Sequence, residues 1–174
     1  TTMFLSTWNV DELEVEDFEQ YRPNVYLPDP VPTDGLVQPF MDSPLDDEEV
    51  SATVFINLIS RANHYIYLTT PYLIIDHSMN EALCAAAKAG VDVRIITPHI
   101  PDKRRVFELT RAHYEPLVKA GVKVYEYLPG FIHSKTLVCD DQLGMVGTIN
   151  LDYRSLYLHF ECGVWLSGAH SVAD

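Results

Sequence analysis

Basic residues are scarce in this sequence, and the shortage limits the partners that the protein can bind. Lys and Arg together number 12 of 174 residues, Asp and Glu number 25, and the net charge is −13. The imbalance is uneven, because residues 1–50 hold thirteen acidic residues against Arg22 alone, whereas residues 51–174 hold twelve acidic and eleven basic residues. Since proteins that bind nucleic acid normally carry a basic patch, the sequence predicts no nucleic-acid partner.

Cysteine is also scarce, and the sequence has neither long apolar runs nor metal-ligand patterns. Three cysteines, an odd number without the spacing of a disulfide framework, indicate reduced thiols and a cytosolic exposure. No apolar run approaches the ~20 residues of a membrane-spanning helix, and the first residues lack the basic stretch and apolar core of a signal peptide. Apart from His133, the histidines have no metal-ligand spacing, so we expect neither a metal nor another cofactor.

One short stretch near the end of the chain concentrates reactive side chains. His133 and Lys135 lie two residues apart on a segment with an extended pattern, so their side chains are expected on the same face. Asp140 follows, then residues 147–150 (Gly-Thr-Ile-Asn) add a hydroxyl and an amide, and Glu161 opens another extended run. A nucleophile, a cation, neutral hydrogen-bond donors and a carboxylate that holds the imidazole are the parts needed to attack a phosphodiester.

This pattern resembles the signature of the phospholipase D superfamily, H-x-K-x4-D followed by G-[ST]-x-N. Several segments are similar to the second catalytic half of bacterial cardiolipin synthases: residues 70–75, 81–83, 89–95, 130–138, 146–155 and 160–161. The resemblance covers roughly residues 35–170, and it implies a phospholipase D-like fold for that part of the chain.

The resemblance also implies roles for the site residues. His133 would be the nucleophile that forms a phosphohistidine, or the general acid that protonates the leaving glycerol. Glu161 would accept the other N–H of the imidazole, the role of the carboxylate in a Ser-His-Asp site. Lys135, Thr148 and Asn150 would bind the phosphate oxygens.

Asp140 belongs to the same signature and is a candidate catalytic residue on that ground. Its five-residue offset from Lys135 places it on the opposite face of an extended strand. A structural role at a strand end is therefore the alternative for this carboxylate.

A reaction follows from the same resemblance. One phosphatidylglycerol would give its phosphatidyl group to the histidine and release glycerol, and a second phosphatidylglycerol would accept it to give cardiolipin. The alternatives are another phospholipase D-type phosphatidyltransferase or phosphodiesterase, such as a phosphatidylserine synthase or a phospholipase, and a non-catalytic half that binds lipid or phosphate.

The number of motifs limits what this chain can do alone. The superfamily's active site uses two H-x-K motifs, and this sequence has one. We therefore expect either a missing N-terminal half or a second copy across a pseudo-twofold axis, and an isolated chain that is inactive without it. The resemblance places the full-length protein at the cytoplasmic side of the bacterial cell membrane, with this chain itself soluble.

The order of predicted elements defines the fold class. Residues 1–34 are predicted to be an acidic, proline-rich lead-in that contains a helix end near residues 3–8, and residues 35–174 a phospholipase D-like catalytic domain. Strands are expected near residues 36–41, 64–70, 91–96, 122–127, 133–139, 143–147 and 160–166. Helices are expected near 46–62, 78–90 (capped by Ser78) and 103–120. Strand–helix–strand alternation predicts an α/β protein with a mixed, largely parallel sheet and helices on both faces.

Overall fold

The computed structural model describes residues 1–10, 17–22, 24 and 34–173. The acidic residues at 11–16 and the four prolines of the predicted lead-in (Pro23, Pro28, Pro30 and Pro32) lie outside the described residues. The chain divides into two compact units, residues 1–34 and residues 35–174.

The described part of the first unit contains one α-helix and one 3₁₀ helix. Helix α1 spans Thr2–Trp8, in agreement with the helix end predicted there, and the 3₁₀ helix spans Phe18–Tyr21. Phe4 and Trp8 lie one turn apart on α1 and stack with their ring centroids 5.8 Å apart.

The second unit contains nine strands and six helices in its described residues. The strands are β1 (Leu36–Asp42), β2 (Tyr65–Thr69), β3 (Leu73–Ile74), β4 (Asp92–Pro98), β5 (Lys123–Tyr127), β6 (Thr136–Cys139), β7 (Leu143–Gly147), β8 (Leu151–Asp152) and β9 (Glu161–Ser167). The helices are α2 (Val50–Arg61), α3 (His77–Lys88), α4 (Arg104–Ala112), α5 (Tyr114–Ala120), α6 (Tyr153–Tyr157) and α7 (His170–Ala173).

Seven of the strands form one mixed sheet in the order β1-β9-β7-β6-β2-β4-β5, and β3 pairs with β8 separately. The mixed α/β architecture is confirmed, but the expectation of a largely parallel sheet is wrong. Within the seven-stranded sheet, parallel pairing is confined to β2, β4 and β5, whereas β6, β7, β9 and β1 pair antiparallel. The physical reason is connection length: helical crossovers link β2, β4 and β5, while a turn of three residues links β6 to β7.

Helices lie on both faces of the sheet, as predicted, but unequally. Alternate residues of the central strands are buried in one core with the apolar side chains of α2, α3 and α5. On β7, Met145 faces this core, and Gly144 faces the other side. A Cβ atom at Gly144 would lie 3.2 Å from the side chain of Val172, so the short helix α7 packs against the second face.

Local hydrogen bonding sets helix starts that the sequence pattern misplaced. Helix α2 begins at Val50, four residues later than predicted, because the Asp46 carboxylate accepts the N–H of Glu48 at 3.0 Å and holds a turn there. Helix α3 is capped by Asp76, whose carboxylate accepts the N–H of Met79 at 2.8 Å, and not by Ser78.

The single helix predicted for residues 103–120 is two helices, α4 and α5, which meet at His113. Pro116 lies in the first turn of α5 and has no N–H to donate to the carbonyl of Ala112, four residues earlier. Helix α4 therefore ends at Ala112, and α5 starts where a proline is tolerated.

Candidate active site

The candidate site lies at one edge of the seven-stranded sheet. Strand β2 ends at this edge beside the start of β6, which runs antiparallel to it. Strand β7 also ends here, because the N–H of Gly147 donates to the carbonyl of Lys135 at 3.3 Å. Strand β9 begins at the same edge with Glu161, beside the end of β7. The topology thus places His133, Lys135, Thr148 and Glu161 on short neighbouring segments.

His133 and Lys135 are in direct contact, as their two-residue spacing predicts. The Nζ atom of Lys135 lies 3.0 Å from Nδ1 and 3.3 Å from Nε2 of His133, and it donates to the His133 carbonyl at 2.7 Å. Lys135 is 8% exposed, whereas the imidazole reaches the surface. An ammonium bonded to the His133 carbonyl beside an exposed imidazole can turn to a phosphate oxygen without leaving the site.

Burial and two carboxylates act in opposite directions on the Lys135 ammonium. Desolvation is the larger effect and lowers the pKa of Lys135, while attraction by Glu161 and Asp152 opposes that decrease. Glu161 is 9% exposed and Asp152 is 8% exposed. The site is thus a partly dry cluster in which the charges of two buried carboxylates favour the protonated form of one lysine.

Thr148 connects the end of β7 to the start of β9. Its hydroxyl donates to the Glu161 carboxylate and accepts the N–H of Cys162 at 3.0 Å. The backbones come close enough for these bonds because Gly147 has no side chain, and a Cβ there would lie 2.4 Å from the carbonyl oxygen of Cys162. This glycine therefore permits the contact between the threonine and the glutamate.

The predicted hydrogen bond from His133 to Glu161 is not among the contacts of the described residues. One oxygen of Glu161 accepts from Thr148, and the other lies 3.7 Å from Nδ1 of His159. Glu161 is therefore placed at the site as a charge partner of Lys135 and an acceptor for Thr148. Its action on the His133 ring stays a prediction.

His159 and Arg154 are site neighbours that the sequence reasoning did not assign to the site. Arg154 donates from Nε to Nε2 of His159 at 2.7 Å, and the other ring nitrogen faces Glu161. The signal in the sequence was the His-Phe-Glu spacing, since two residues on an extended segment share a face, the same spacing that joins His133 to Lys135.

Asn150 lies two residues after Thr148 and is held by Ser155. Its amide nitrogen donates to the Ser155 hydroxyl at 3.0 Å. Its amide oxygen is buried without a hydrogen-bond partner among the described residues, which is unusual for a buried acceptor. The phosphate contact assigned to Asn150 stays a prediction.

Asp140 lies away from these residues, and its assignment as a catalytic residue stays a prediction. It follows β6 at the opposite edge of the sheet and accepts backbone N–H bonds from Asn63 at 2.7 Å, His64 at 3.0 Å and Tyr65 at 2.7 Å. Desolvation opposes ionisation of this carboxylate, but the three N–H groups outweigh it and lower the pKa of Asp140. The alternative predicted from its spacing, a structural role at a strand end, fits these contacts.

Two solved structures show that this fold is that of the phospholipase D family. The chain matches the crystal structure of the phospholipase D family member Nuc from Salmonella typhimurium with a TM-score of 0.66 at 20% identity, over 79% of this chain and 86% of that one. Phosphatidylserine synthase from Haemophilus influenzae matches with a TM-score of 0.58 at 18% identity, over 76% of this chain and 34% of that one. At such identities the likeness defines the fold alone.

Sequence comparison narrows the class to one family. Residues 55–174 match the model of the cardiolipin synthase, phospholipase D-like domain, and the chain belongs to that family. It is 42% identical over 139 residues to a cardiolipin synthase of Halalkalibacterium halodurans, covering 80% of this chain and 28% of that protein. It is 44% identical over its whole length to an uncharacterized protein of Streptococcus mutans, of which it covers 37%.

The chain spans about a third of the length of these curated relatives. Within the described ranges, no helix has the length and apolar character needed to cross a membrane. The family assignment thus applies to one domain and does not by itself assign to this chain the activity of the longer relatives.

Proposed function

We propose that this domain is the second catalytic half of a cardiolipin synthase. It would transfer a phosphatidyl group from one phosphatidylglycerol to another and give cardiolipin and glycerol. The observation that carries the proposal is the contact of Lys135 with both ring nitrogens of His133, at 3.0 and 3.3 Å, in a chain of the cardiolipin synthase family. A histidine beside a fixed cation is the arrangement that attack on a phosphodiester requires.

In the first step, an imidazole nitrogen of His133 attacks the phosphorus of phosphatidylglycerol. A phosphorus–nitrogen bond forms, and the bond from phosphorus to the headgroup oxygen breaks. The leaving glycerol takes a proton from a general acid, which in a site with two H-x-K motifs is the second histidine. The Lys135 ammonium turns from the imidazole to the non-bridging oxygens and stabilises their developing charge.

In the second step, a headgroup hydroxyl of another phosphatidylglycerol attacks the phosphohistidine. The second histidine now takes the proton of this hydroxyl, the phosphorus–nitrogen bond breaks, and His133 is regenerated. One phosphodiester replaces another, so the exchange needs no nucleotide. The resemblance that names His133 the nucleophile is equally consistent with its being the general acid, and labelling of the covalent intermediate separates the two roles.

The partner that supplies the second motif is either a missing N-terminal half or a second copy of this chain. The relatives' length supports the first, because the chain covers only 28% of the Halalkalibacterium halodurans enzyme. In the full-length protein, we expect the site to work at the cytoplasmic surface of the bacterial cell membrane, where its lipid substrates lie.

The test is phosphatidyl transfer by the 174-residue chain on phosphatidylglycerol micelles, beside His133→Ala and the control His64→Ala. His64 is exposed and lies at the opposite edge of the sheet. Where two copies of the chain supply both motifs and the wild type turns over, we expect activity to be lost in H133A and kept in H64A. We also expect a ³²P-labelled phosphatidyl group to be bound to His133 during turnover by an acid-labile bond.

Three other outcomes are informative. If the wild-type chain is folded but shows no turnover, the second motif lies in a missing half, and the wild type and the two variants are then assayed in the full-length protein. Equal turnover of the wild type and H133A contradicts the assignment of His133. Release of phosphatidic acid without any cardiolipin identifies a phospholipase instead of a phosphatidyltransferase.

A further inference from the structure

Large apolar side chains are exposed on two connections beside the candidate site. Strands β4 and β5 are parallel and end at the same edge as the site. Just past these ends, Ile100 is 48% exposed, Leu128 is 66% exposed and Phe131 is 41% exposed. Single exposed apolar residues are common on protein surfaces, but several at one edge indicate an interaction surface.

The two connections form one continuous surface that reaches the nucleophile. They meet around a small recess lined by Pro71, Tyr72, Pro98, Pro101, Asp102, Phe107 and Phe131. The Phe131 ring also lies against His133, with the ring centroids 5.6 Å apart. Phe131 thus joins the imidazole to the connections that carry Ile100 and Leu128.

A cluster of positive charge borders this apolar surface. Lys103, Arg104 and Arg105 follow Ile100 on the same connection, and basic residues are adjacent in the sequence nowhere else. All three are exposed. Lys103 lies 5.4 Å from the centre of the Tyr72 ring, and Arg104 makes a water-exposed ion pair with Glu108 at 3.3 Å, which is a weak interaction.

The opposite end of the same edge carries the reverse charge. Strand β1, at the far end of the strand order, leads into residues 46–49, which are four consecutive acidic residues. They line a recess with Asp42 and His159. The edge is therefore polarised, with anions beyond β1, cations beyond β4, and His133 and Lys135 between them.

We propose that Ile100, Leu128, Phe131, Lys103, Arg104 and Arg105, together called the lipid rim, dock on an anionic lipid surface. Such a surface offers apolar chains below a plane of negative headgroups, and the rim presents apolar tips next to cations. The acidic end of the edge is repelled by that plane, which leaves the β4 and β5 end as the contact. Docking this way brings a headgroup diester to His133, so the inference rests on the lipid substrate of the proposed function.

The test is sedimentation of the 174-residue chain with vesicles of phosphatidylcholine alone or of phosphatidylcholine and phosphatidic acid in equal amounts, at low ionic strength. Phosphatidic acid is anionic but has no headgroup to transfer, so binding is measured apart from catalysis. We expect binding only to the anionic vesicles. Because each basic residue near such a surface contributes about 1 kcal/mol, R104Q/R105Q weakens binding about tenfold or more.

Matched variants locate the contact. The control K88Q/K119Q removes the same charge from the last turns of α3 and α5, at the opposite edge of the sheet, and we expect it to bind within about twofold of wild type. The variant I100S/L128S keeps every charge and is expected to weaken binding about tenfold, since it removes the apolar part of the contact. All of these side chains are exposed, and circular dichroism checks that each variant folds.

Three outcomes overturn the proposal. If the rim variants bind vesicles like wild type, the lipid rim is not the docking surface. If K88Q/K119Q loses as much vesicle binding as R104Q/R105Q, the effect of charge is non-specific. Unchanged vesicle binding with altered self-association in I100S/L128S identifies the surface as a protein contact. The proposed function fails separately, because H133A tests transfer and is expected to bind these vesicles normally.

Discussion

The two ends of strand β6 carry the two parts of one sequence signature, and the contacts at these ends differ. Before the strand, His133 and Lys135 touch each other beside Thr148 and Glu161. After it, Asp140 accepts three backbone N–H bonds at the start of β2. Four strand residues separate the end with His133 and Lys135, called the chemical end, from the end with Asp140, called the structural end.

The structural end holds the chemical end in place through the sheet. Asp140 and Asp141 both have positive φ, 53° and 55°, and the N–H of Gln142 closes the turn on the carbonyl of Cys139 at 3.0 Å. This turn joins β6 to β7, and β7 leads to Thr148. The carboxylate of Asp140 also ties the turn to the start of β2, so it fixes the register on which the site depends.

Substituting the chemical end should give the largest effect on catalysis. Lys135→Met removes the cation that we propose binds the phosphate oxygens, and we expect phosphatidyl transfer to fall about 10²–10³-fold, with much less effect on the melting temperature. The assay uses the chain, or the full-length protein if only that turns over. The matched control is Lys123→Met. The Lys123 amine pairs with Asp92 at 2.8 Å at the opposite edge of the sheet. An equal loss of activity in this control contradicts the role proposed for Lys135.

Substituting the structural end should mainly affect stability. Asp140→Ala leaves three N–H groups without their acceptor and puts at φ 53° a residue that tolerates the left-handed region less well than aspartate. We expect a loss of about 2–4 kcal/mol in the free energy of unfolding. Asp140→Asn keeps an acceptor and tolerates the left-handed conformation, so its loss is smaller. Urea denaturation measures both. Reduced turnover per folded molecule in either variant, at unchanged stability, would return Asp140 to the active site.

The contrast between the two ends was only half visible in the sequence. The spacing of His133 and Lys135 predicts their contact because it depends on side-chain direction alone. The odd offset of Asp140 pointed to a strand end, but its partners at residues 63–65 are more than seventy residues away. Nothing local in the chain encodes that distance, so its three hydrogen bonds could not be foreseen.

The fold was likewise predicted only in part. Strand positions follow from β-branched and aromatic runs, and they match β2, β4 and β5 within a few residues. The antiparallel half was missed, although Asp140-Asp141 between two apolar runs is a turn signal. Reading that dipeptide as a hairpin turn would have predicted the pairing of β6 with β7.

Glu161 has two possible roles at the chemical end, as a charge partner of Lys135 or as an acceptor for the His133 ring. Its substitution should have an intermediate effect on catalysis. Glu161→Gln keeps an acceptor for the Thr148 hydroxyl and removes the charge that opposes the lowered pKa of Lys135. We expect the alkaline limb of the pH–rate profile to move to lower pH, because Lys135 then loses its proton more easily, with a loss of about tenfold near neutral pH. A loss of about 10²–10⁴-fold at every pH, with the limb unmoved, would instead indicate that Glu161 acts on the imidazole.

The smallest expected effect is the pH dependence that Asp140 gives to stability. The pKa of this carboxylate is lower in the folded chain than the ordinary value of about 3.9. Its stabilisation is therefore complete above that value and is lost as pH falls through the lower folded pKa. Protonated Asp140 and the amide of Asp140→Asn are both neutral, so the difference in unfolding free energy between wild type and D140N should shrink by about 1 kcal/mol between neutral and strongly acidic pH. Urea denaturation across that range measures it, and a difference that stays constant or grows on acidification would mean that the three N–H bonds do not favour the ionised form.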